Sequence, residues 1–337
     1  MGVERERIRI GIIGMGRFGE YHMAVFQALD SVEVVGLCHR REDRLKELAQ
    51  LFPSYPLYAD YREMLAQEEM EAVSVVTSEH LHLEPVLASF ESGKHVFLEK
   101  PIASSLEDAD RMIEEAERRG LIFLVGHMLR FDPRYASLKE RIEAGEVGQL
   151  ATMYARRNYS RDYYDLYKRV YPSLVLGCHD IDMMLWYSDS PVVSVYAVEG
   201  RYLGGETPDT YWALLRFQNG VIGALEMSWL IPQGAPSPLD AQMQVLGTEG
   251  LLRICDPAPN LVVTNDRESN WVDVVAAPTL RGAMLGVLRD ELVHFVECVK
   301  KEEQSTILCP RDARAALRIA LAVAESAKSR QELRLGI

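Results

Sequence analysis

The sequence predicts an α/β protein: an N-terminal doubly wound parallel sheet, followed by a C-terminal α/β domain with a largely antiparallel open sheet. Three observations carry that expectation. Short apolar runs alternate with amphipathic stretches through the first third of the chain. A glycine-rich turn follows the first apolar run. Beyond about His127 the apolar runs lengthen and their connections tighten.

Arg9 to Ile13, Glu33 to Cys38, Ala72 to Thr77, His95 to Leu98 and Ile122 to Val125 are β-branched or almost continuously apolar. Strands buried on both faces of a parallel sheet read this way. Between them, Leu45, Leu48, Ala49 and Phe52 recur at helical spacing. So do Leu106, Ala109, Met112, Ile113 and Ala116, after a cap at Ser104 or Ser105 and before Gly120. Strand–helix alternation of this kind implies βαβ units.

In the second part a helix is expected from Pro133 to Ala144, ended by Gly145. Tyr211 to Phe217 and Val221 to Trp229 flank Gln218-Asn219-Gly220, and Asn-Gly between such runs signals a hairpin. Gln242 to Leu246 and Leu251 to Ile254 flank a second turn. Two helices, about 289–301 and 310–329, close the chain. The expected domains are therefore 1–127 and 128–337, with the closing helices able to pack back on the first.

Composition narrows the function classes. The chain has 337 residues and a formal net charge of −13, which argues against a nucleic-acid partner. Its five cysteines (Cys38, Cys178, Cys255, Cys298 and Cys309) contain no CxxC pair, so neither a zinc site nor a secreted disulfide framework is expected. The charged start, Met1 to Arg9, has no apolar leader, and no run is long and apolar enough to cross a membrane. A reduced, cytoplasmic compartment is the expectation.

The first apolar run enters Gly14-Met15-Gly16-Arg17-Phe18-Gly19, with a helix expected from Tyr21 to Ala28. Gly14 permits a tight turn, Gly16 admits a pyrophosphate to the backbone, and Gly19 lets helix and strand pack closely. A helix N-terminus then offers N–H groups to phosphate. Arg17 and Phe18, inside the motif, join the cofactor-binding candidates. The end of the second strand reads Cys38-His39-Arg40-Arg41, with no acid until Glu42. A ribose 2′-hydroxyl is usually held by Asp or Glu there, whereas a 2′-phosphate needs cations. His39, Arg40 and Arg41 therefore point to NADP over NAD.

Further along, Thr77-Ser78-Glu79-His80-Leu81-His82, then Gly93-Lys94-His95-Val96 running into Glu99-Lys100-Pro101, resembles the Gfo/Idh/MocA oxidoreductases, the glucose–fructose oxidoreductase and inositol dehydrogenase relatives. Gly126 to Pro133 resembles that family's domain junction. Gly177-Cys178-His179-Asp180-Ile181-Asp182 resembles its second-domain active-site segment, and the resemblance runs over essentially the whole chain. It implies a Rossmann domain, then an α/β domain whose open sheet often mediates dimers or tetramers. It also implies hydride transfer between a nicotinamide and a hydroxyl or carbonyl carbon of a sugar, polyol or nucleotide sugar.

Carried onto matching positions, Lys100 is the active-site lysine and His179 the active-site histidine. Thr77, Ser78, His82 and Glu99 fall with the cofactor-binding set. A histidine is poised to take the proton that leaves an alcohol, and a lysine can hold the oxygen by charge. His179 opens a helical run, where the helix N-terminus disfavours imidazolium. Asp182, one turn beyond, either orients His179, touches substrate or is structural. Arg156 to Arg169, dense in Tyr and Arg, is expected to form either a substrate loop or a solvated loop of mixed charge. No metal set is expected from His80, His82 and His127. One departure stands out: Val175 occupies the position, four before His179, where many relatives carry an acid. Two other readings stay open, an NAD-dependent glycoside hydrolase and a non-catalytic dinucleotide-binding sensor or scaffold.

Overall fold

The structure, a computed structural model, describes residues 7–257, 261–264 and 269–336; residues 1–6 of the charged start lie outside them. The chain divides into two compact units, Met1–Met128 with Val275–Arg314, and Leu129–Val274 with Ala315–Ile337.

The first unit is built from β1 (Ile8–Ile13), α1 (Arg17–Gln27), β2 (Val32–Cys38), α2 (Glu42–Leu51), β3 (Leu57–Tyr58), α3 (Tyr61–Gln67), β4 (Ala72–Val75), α4 (Leu83–Glu91), β5 (His95–Glu99), α5 (Leu106–Arg119) and β6 (Phe123–Gly126). The six strands form a sheet of order β3-β2-β1-β4-β5-β6, and every neighbouring pair is parallel. All four residues of β4 are buried, as are Ile10, Ile12 and Ile13 of β1 and Val96, Phe97 and Leu98 of β5, so the sheet is covered on both faces. Capping matches the sequence at α5: Ser105 Oγ accepts from Asp108 N at 3.1 Å, and Gly120 closes the helix at φ 67°. α1 differs. It starts at Arg17 rather than Tyr21, because Gly16 serves as its N-cap and the rest of the motif is already helical. β4 stops at Val75, which leaves Thr77 in the following loop.

The second unit contains α6 (Pro133–Glu143), β7 (Leu150–Ser160), α7 (Tyr164–Tyr167), α8 (Cys178–Ser188), β8 (Val192–Gly200), β9 (Thr210–Phe217), β10 (Ile222–Ile231), β11 (Leu239–Gly247) and β12 (Leu251–Asp256). Two short hairpins follow, β13 (Val262–Thr264) with β14 (Ser269–Trp271) and β15 (Thr279–Leu280) with β16 (Ala283–Met284), the second counted in the first unit. Then come α9 (Val287–Lys301), α10 (Pro310–Ser329) and β17 (Leu333–Arg334). The second sheet has the order β12-β11-β7-β10-β9-β8-β17. β7 and β10 are parallel; the other neighbours are antiparallel. Gly220 turns the β9–β10 hairpin at φ 91°.

One expectation fails here. Arg156 to Ser160 are not loop but the end of β7. Strand alternation divides them: Met153, Ala155 and Arg157 are buried, while Tyr154 and Arg156 are only partly so. The other side of this sheet carries exposed Tyr196, Val198, Trp212, Leu214 and Ile222. Within the first unit α9 packs on α1 and β1, with Phe295 edge-on to Phe97 at 5.7 Å between ring centres.

Candidate active site

Each glycine of the turn after β1 has its own physical reason. Gly14 has φ 103°, and a Cβ there would lie 2.5 Å from the Val76 carbonyl oxygen. A Cβ on Gly19 would lie 2.4 Å from the Gly14 oxygen, so α1 could not approach β1 with any larger residue. Gly16 is different. Its φ of −81° is ordinary, and a Cβ would meet nothing within 4 Å. Packing within the protein does not require glycine at Gly16. Gly16 also gives α1 no capping side chain, and Arg17 and Phe18 lie exposed in its first turn.

The end of β2 reaches this loop directly, since Gly14 N and Met15 N both donate to Cys38 O, at 2.9 and 3.1 Å. His39 follows, partly buried, its Nδ1 accepting from Arg41 N at 3.2 Å; burial lowers its pKa. Arg40 and Arg41 are exposed, and the Arg41 guanidinium makes a long ion pair with Asp43, 3.4 Å, between mostly exposed side chains. Sequence reading missed Arg44. Its Nε donates to Met15 O at 3.0 Å and its other nitrogens pair with Glu20 and Glu47, tying α2 to the glycine loop and to α1.

The loops after β4 and β5 hold the next group. Thr77 and Ser78 are partly exposed beside the Gly14 turn. His82 is 1% exposed, with Nδ1 3.0 Å from Pro101 O and Nε2 3.1 Å from Thr77 O. Both ring nitrogens therefore face backbone, and burial lowers the pKa despite these two contacts. His82 thereby ties the loop after β4 to the loop after β5. Glu99 is likewise turned inward: Oε1 faces Nε2 of His22 at 3.2 Å, and Oε2 accepts from Lys100 N at 3.2 Å. Lys100 itself stands, half-buried, just past the end of β5.

In the second unit, His179 is the second residue of α8 and partly exposed. α8 does not start there, however. A π-helical turn over Ser173–Gly177, which contains Val175, runs into it without a break. The helix-terminus argument for His179 is thus corrected, because the dipole effect fades within the first turn. π-turns of this kind concentrate at functional sites. Asp180 and Asp182 are both buried and both held by arginines. Arg157 donates to Asp180 at 2.8 and 3.0 Å, and Arg130 to Asp182 at 2.9 and 2.7 Å. Burial opposes the charge on Arg157, but the facing Asp180 outweighs it and raises its pKa further. Arg157 falls in the segment read as a substrate loop and Arg130 in the junction motif, but the pairing of each spans 23 and 52 residues, beyond the reach of a local motif. Among the described residues no cluster of His, Cys, Asp or Glu could hold a metal ion.

Residues 8–127 match the family described as "Oxidoreductase family, NAD-binding Rossmann fold", and residues 135–253 match the "GFO/IDH/MocA C-terminal domain". The chain is 30% identical to myo-inositol 2-dehydrogenase of Thermotoga maritima, over 97% of this chain and 98% of that one. The chain belongs to the Gfo/Idh/MocA oxidoreductases. As a member of that family it is 27% identical to the scyllo-inositol 2-dehydrogenase (NAD(+)) of Bacillus subtilis, over 98% of this chain and 97% of that one. In fold it resembles the scyllo-inositol dehydrogenase of Lactobacillus casei solved with NAD(H) and scyllo-inositol. The TM-score is 0.83 at 21% identity, covering 98% and 99% of the two chains. The first unit of this Gfo/Idh/MocA protein is thus an NAD-binding Rossmann domain. The glycoside hydrolase and sensor readings gain no support from these relatives, which are dehydrogenases. No helix among the described residues is long and apolar enough to cross a membrane.

Proposed function

We propose that this protein is a dehydrogenase that oxidises a secondary hydroxyl of a cyclic polyol or sugar, with Lys100 and His179 as its catalytic residues. One observation carries the reading. The C-terminal ends of β1, β4 and β5 put the Gly14–Gly19 turn, Thr77–Ser78 and Lys100 on one edge of a sheet ordered β3-β2-β1-β4-β5-β6. In such a sheet a dinucleotide lies across the strand ends, at the switch point between β1 and β4. The inositol dehydrogenases among the relatives support the substrate class.

A bound nicotinamide supplies the hydride acceptor. The chain supplies the rest. Gly16, Arg17, Phe18 and the start of α1 receive the pyrophosphate, and Gly14 and Gly19 make room for that turn. Thr77 and Ser78 line the strand ends. The Lys100 ammonium holds the reacting oxygen by charge, and His179 takes the hydroxyl proton as the hydride leaves carbon. Asp182, committed to Arg130, serves to hold the segment around His179; Glu99 and His82 act through their neighbours instead of touching cofactor. His39, Arg40 and Arg41 in place of an acid favour NADP, with NAD also accepted. The exposed Trp212, Leu214, Tyr196 and Val198 on the open sheet suit a second copy of the chain, giving a homodimer or homotetramer. Five unbridged cysteines suit the reducing cytoplasm.

Titration with NADH and NADPH by nicotinamide fluorescence tests the cofactor half. A panel of inositols and sugars with NAD and NADP tests the substrate half. Tight dinucleotide binding and polyol-dependent reduction support the reading. Absence of dinucleotide binding overturns it.

A further inference from the structure

Beneath Lys100 lies a buried polar chain that neither the sequence nor the proposed chemistry accounts for. His22, on the inner face of α1, is fully buried among Phe18, Phe26 and Phe97. Its Nδ1 is 2.8 Å from Ser74 Oγ on β4, and its Nε2 is 3.2 Å from Glu99 Oε1 at the end of β5. One tautomer satisfies both neighbours: Nε2–H donates to the carboxylate, and Nδ1 accepts from the Ser74 hydroxyl. The second oxygen of Glu99 accepts the backbone N–H of Lys100. Gly126, paired with Glu99 across the sheet, keeps the space open, since a Cβ there would lie 3.2 Å from Glu99 Oε1.

We infer that His22 is a positioning residue for Lys100, acting through Glu99. Two strands and a helix converge on one hydrogen-bonded chain whose last donor is the Lys100 amide. A partner at each end is required, because a polar group left unsatisfied at this depth costs more than its hydrogen bond contributes. The three phenylalanines meet the ring itself, whereas Ser74 and Glu99 meet its nitrogens, so the polar contacts are what single out an imidazole there. What the imidazole adds is a donor that fixes one carboxylate rotamer, and with it the start of the loop that carries Lys100.

The inference rests on Lys100 being the active-site lysine, so its test separates the two. Lysines are reductively methylated with ¹³C, and the Lys100 signal is assigned by its loss in Lys100→Arg. The chemical shift and titration of that signal are then compared in wild type, His22→Phe and His22→Gln, and turnover is measured alongside. A displaced Lys100 signal is expected in the Phe variant and a return towards wild type in the Gln variant, whose amide can still donate. The Phe variant should lose about 10- to 100-fold in kcat, with dinucleotide affinity within about twofold of wild type. If His22→Phe fails to fold, His22→Asn, polar but too short to reach Glu99, replaces it. An unchanged Lys100 signal in the folded variant overturns the inference whether or not the protein turns over any polyol. A shifted signal in a protein whose Lys100→Ala variant keeps full activity supports His22 but overturns the role of Lys100.

Discussion

Both carboxylate oxygens of Asp182 are held by the guanidinium of Arg130, at 2.7 and 2.9 Å, with each side chain almost fully buried. Removing one partner leaves a charge without its counterpart in a dry interior. Arg130→Met is therefore expected to cost about 3–5 kcal/mol of unfolding free energy, measured by urea denaturation. Asp182→Asn should cost a similar amount, because it leaves the Arg130 charge unpaired and turns an amide N–H toward a guanidinium donor. If Asp182 only holds structure, Asp182→Asn keeps near-normal kcat at temperatures well below its midpoint.

The glycine turn separates folding from binding. Gly14→Ala is expected to destabilise by about 2–4 kcal/mol, since it combines a left-handed backbone with a collision against the Val76 carbonyl. Gly16→Ala should change stability by no more than about 0.5 kcal/mol, because its Cβ meets no protein atom. The same Gly16→Ala change should weaken dinucleotide binding by at least about tenfold by intruding on the pyrophosphate. Thermal melts and NADH titration of the two variants check both halves.

Selection between NADPH and NADH should reside in Arg40 and Arg41. Arg44, engaged with Met15, Glu20 and Glu47, is not available to a 2′-phosphate. Replacing Arg40 and Arg41 by alanine should weaken NADPH by about tenfold or more and NADH by no more than about twofold. Equal loss for both cofactors would remove the specificity role.

Stability should depend on pH through His82, which is buried, and the partly buried His95 and His294. Burial lowers the pKa of His82, His95 and His294 below the ordinary 6.5. Between the folded and unfolded values the unfolded chain binds more protons, so stability rises with pH there and is fully present above 6.5. It is lost progressively as pH falls below that value. Urea midpoints from about pH 5 to about pH 8 should show this slope, and His82→Gln should flatten it.

The parallel strands were legible because burial on both faces leaves runs such as Ile10–Ile13 and Val96–Leu98 almost purely apolar. The cap and stop of α5 were legible because Ser105 and Gly120 act within a turn of themselves. β7 was hidden: its inward arginine is neutralised by Asp180 on a distant helix, so the strand reads as a charged loop. The same reason conceals His22. On the sequence it is one polar residue on an apolar helix face, and its partners lie 52 and 77 residues ahead. The candidate site is carried by local motifs at Gly14–Gly19 and Glu99-Lys100-Pro101, which a sequence displays by itself. It was not legible where tertiary pairing decides, at Asp182, His82 and the inward turn of Glu99.

Deuterium transfer tests the central claim most directly. The protein is incubated with NAD or NADP and an inositol deuterated at its carbinol carbons, and the reduced cofactor is analysed by mass spectrometry. Wild type is expected to place one deuterium on the nicotinamide ring, and Lys100→Ala to place none. Tight dinucleotide binding with no deuterium transferred from any polyol or sugar tested would contradict it.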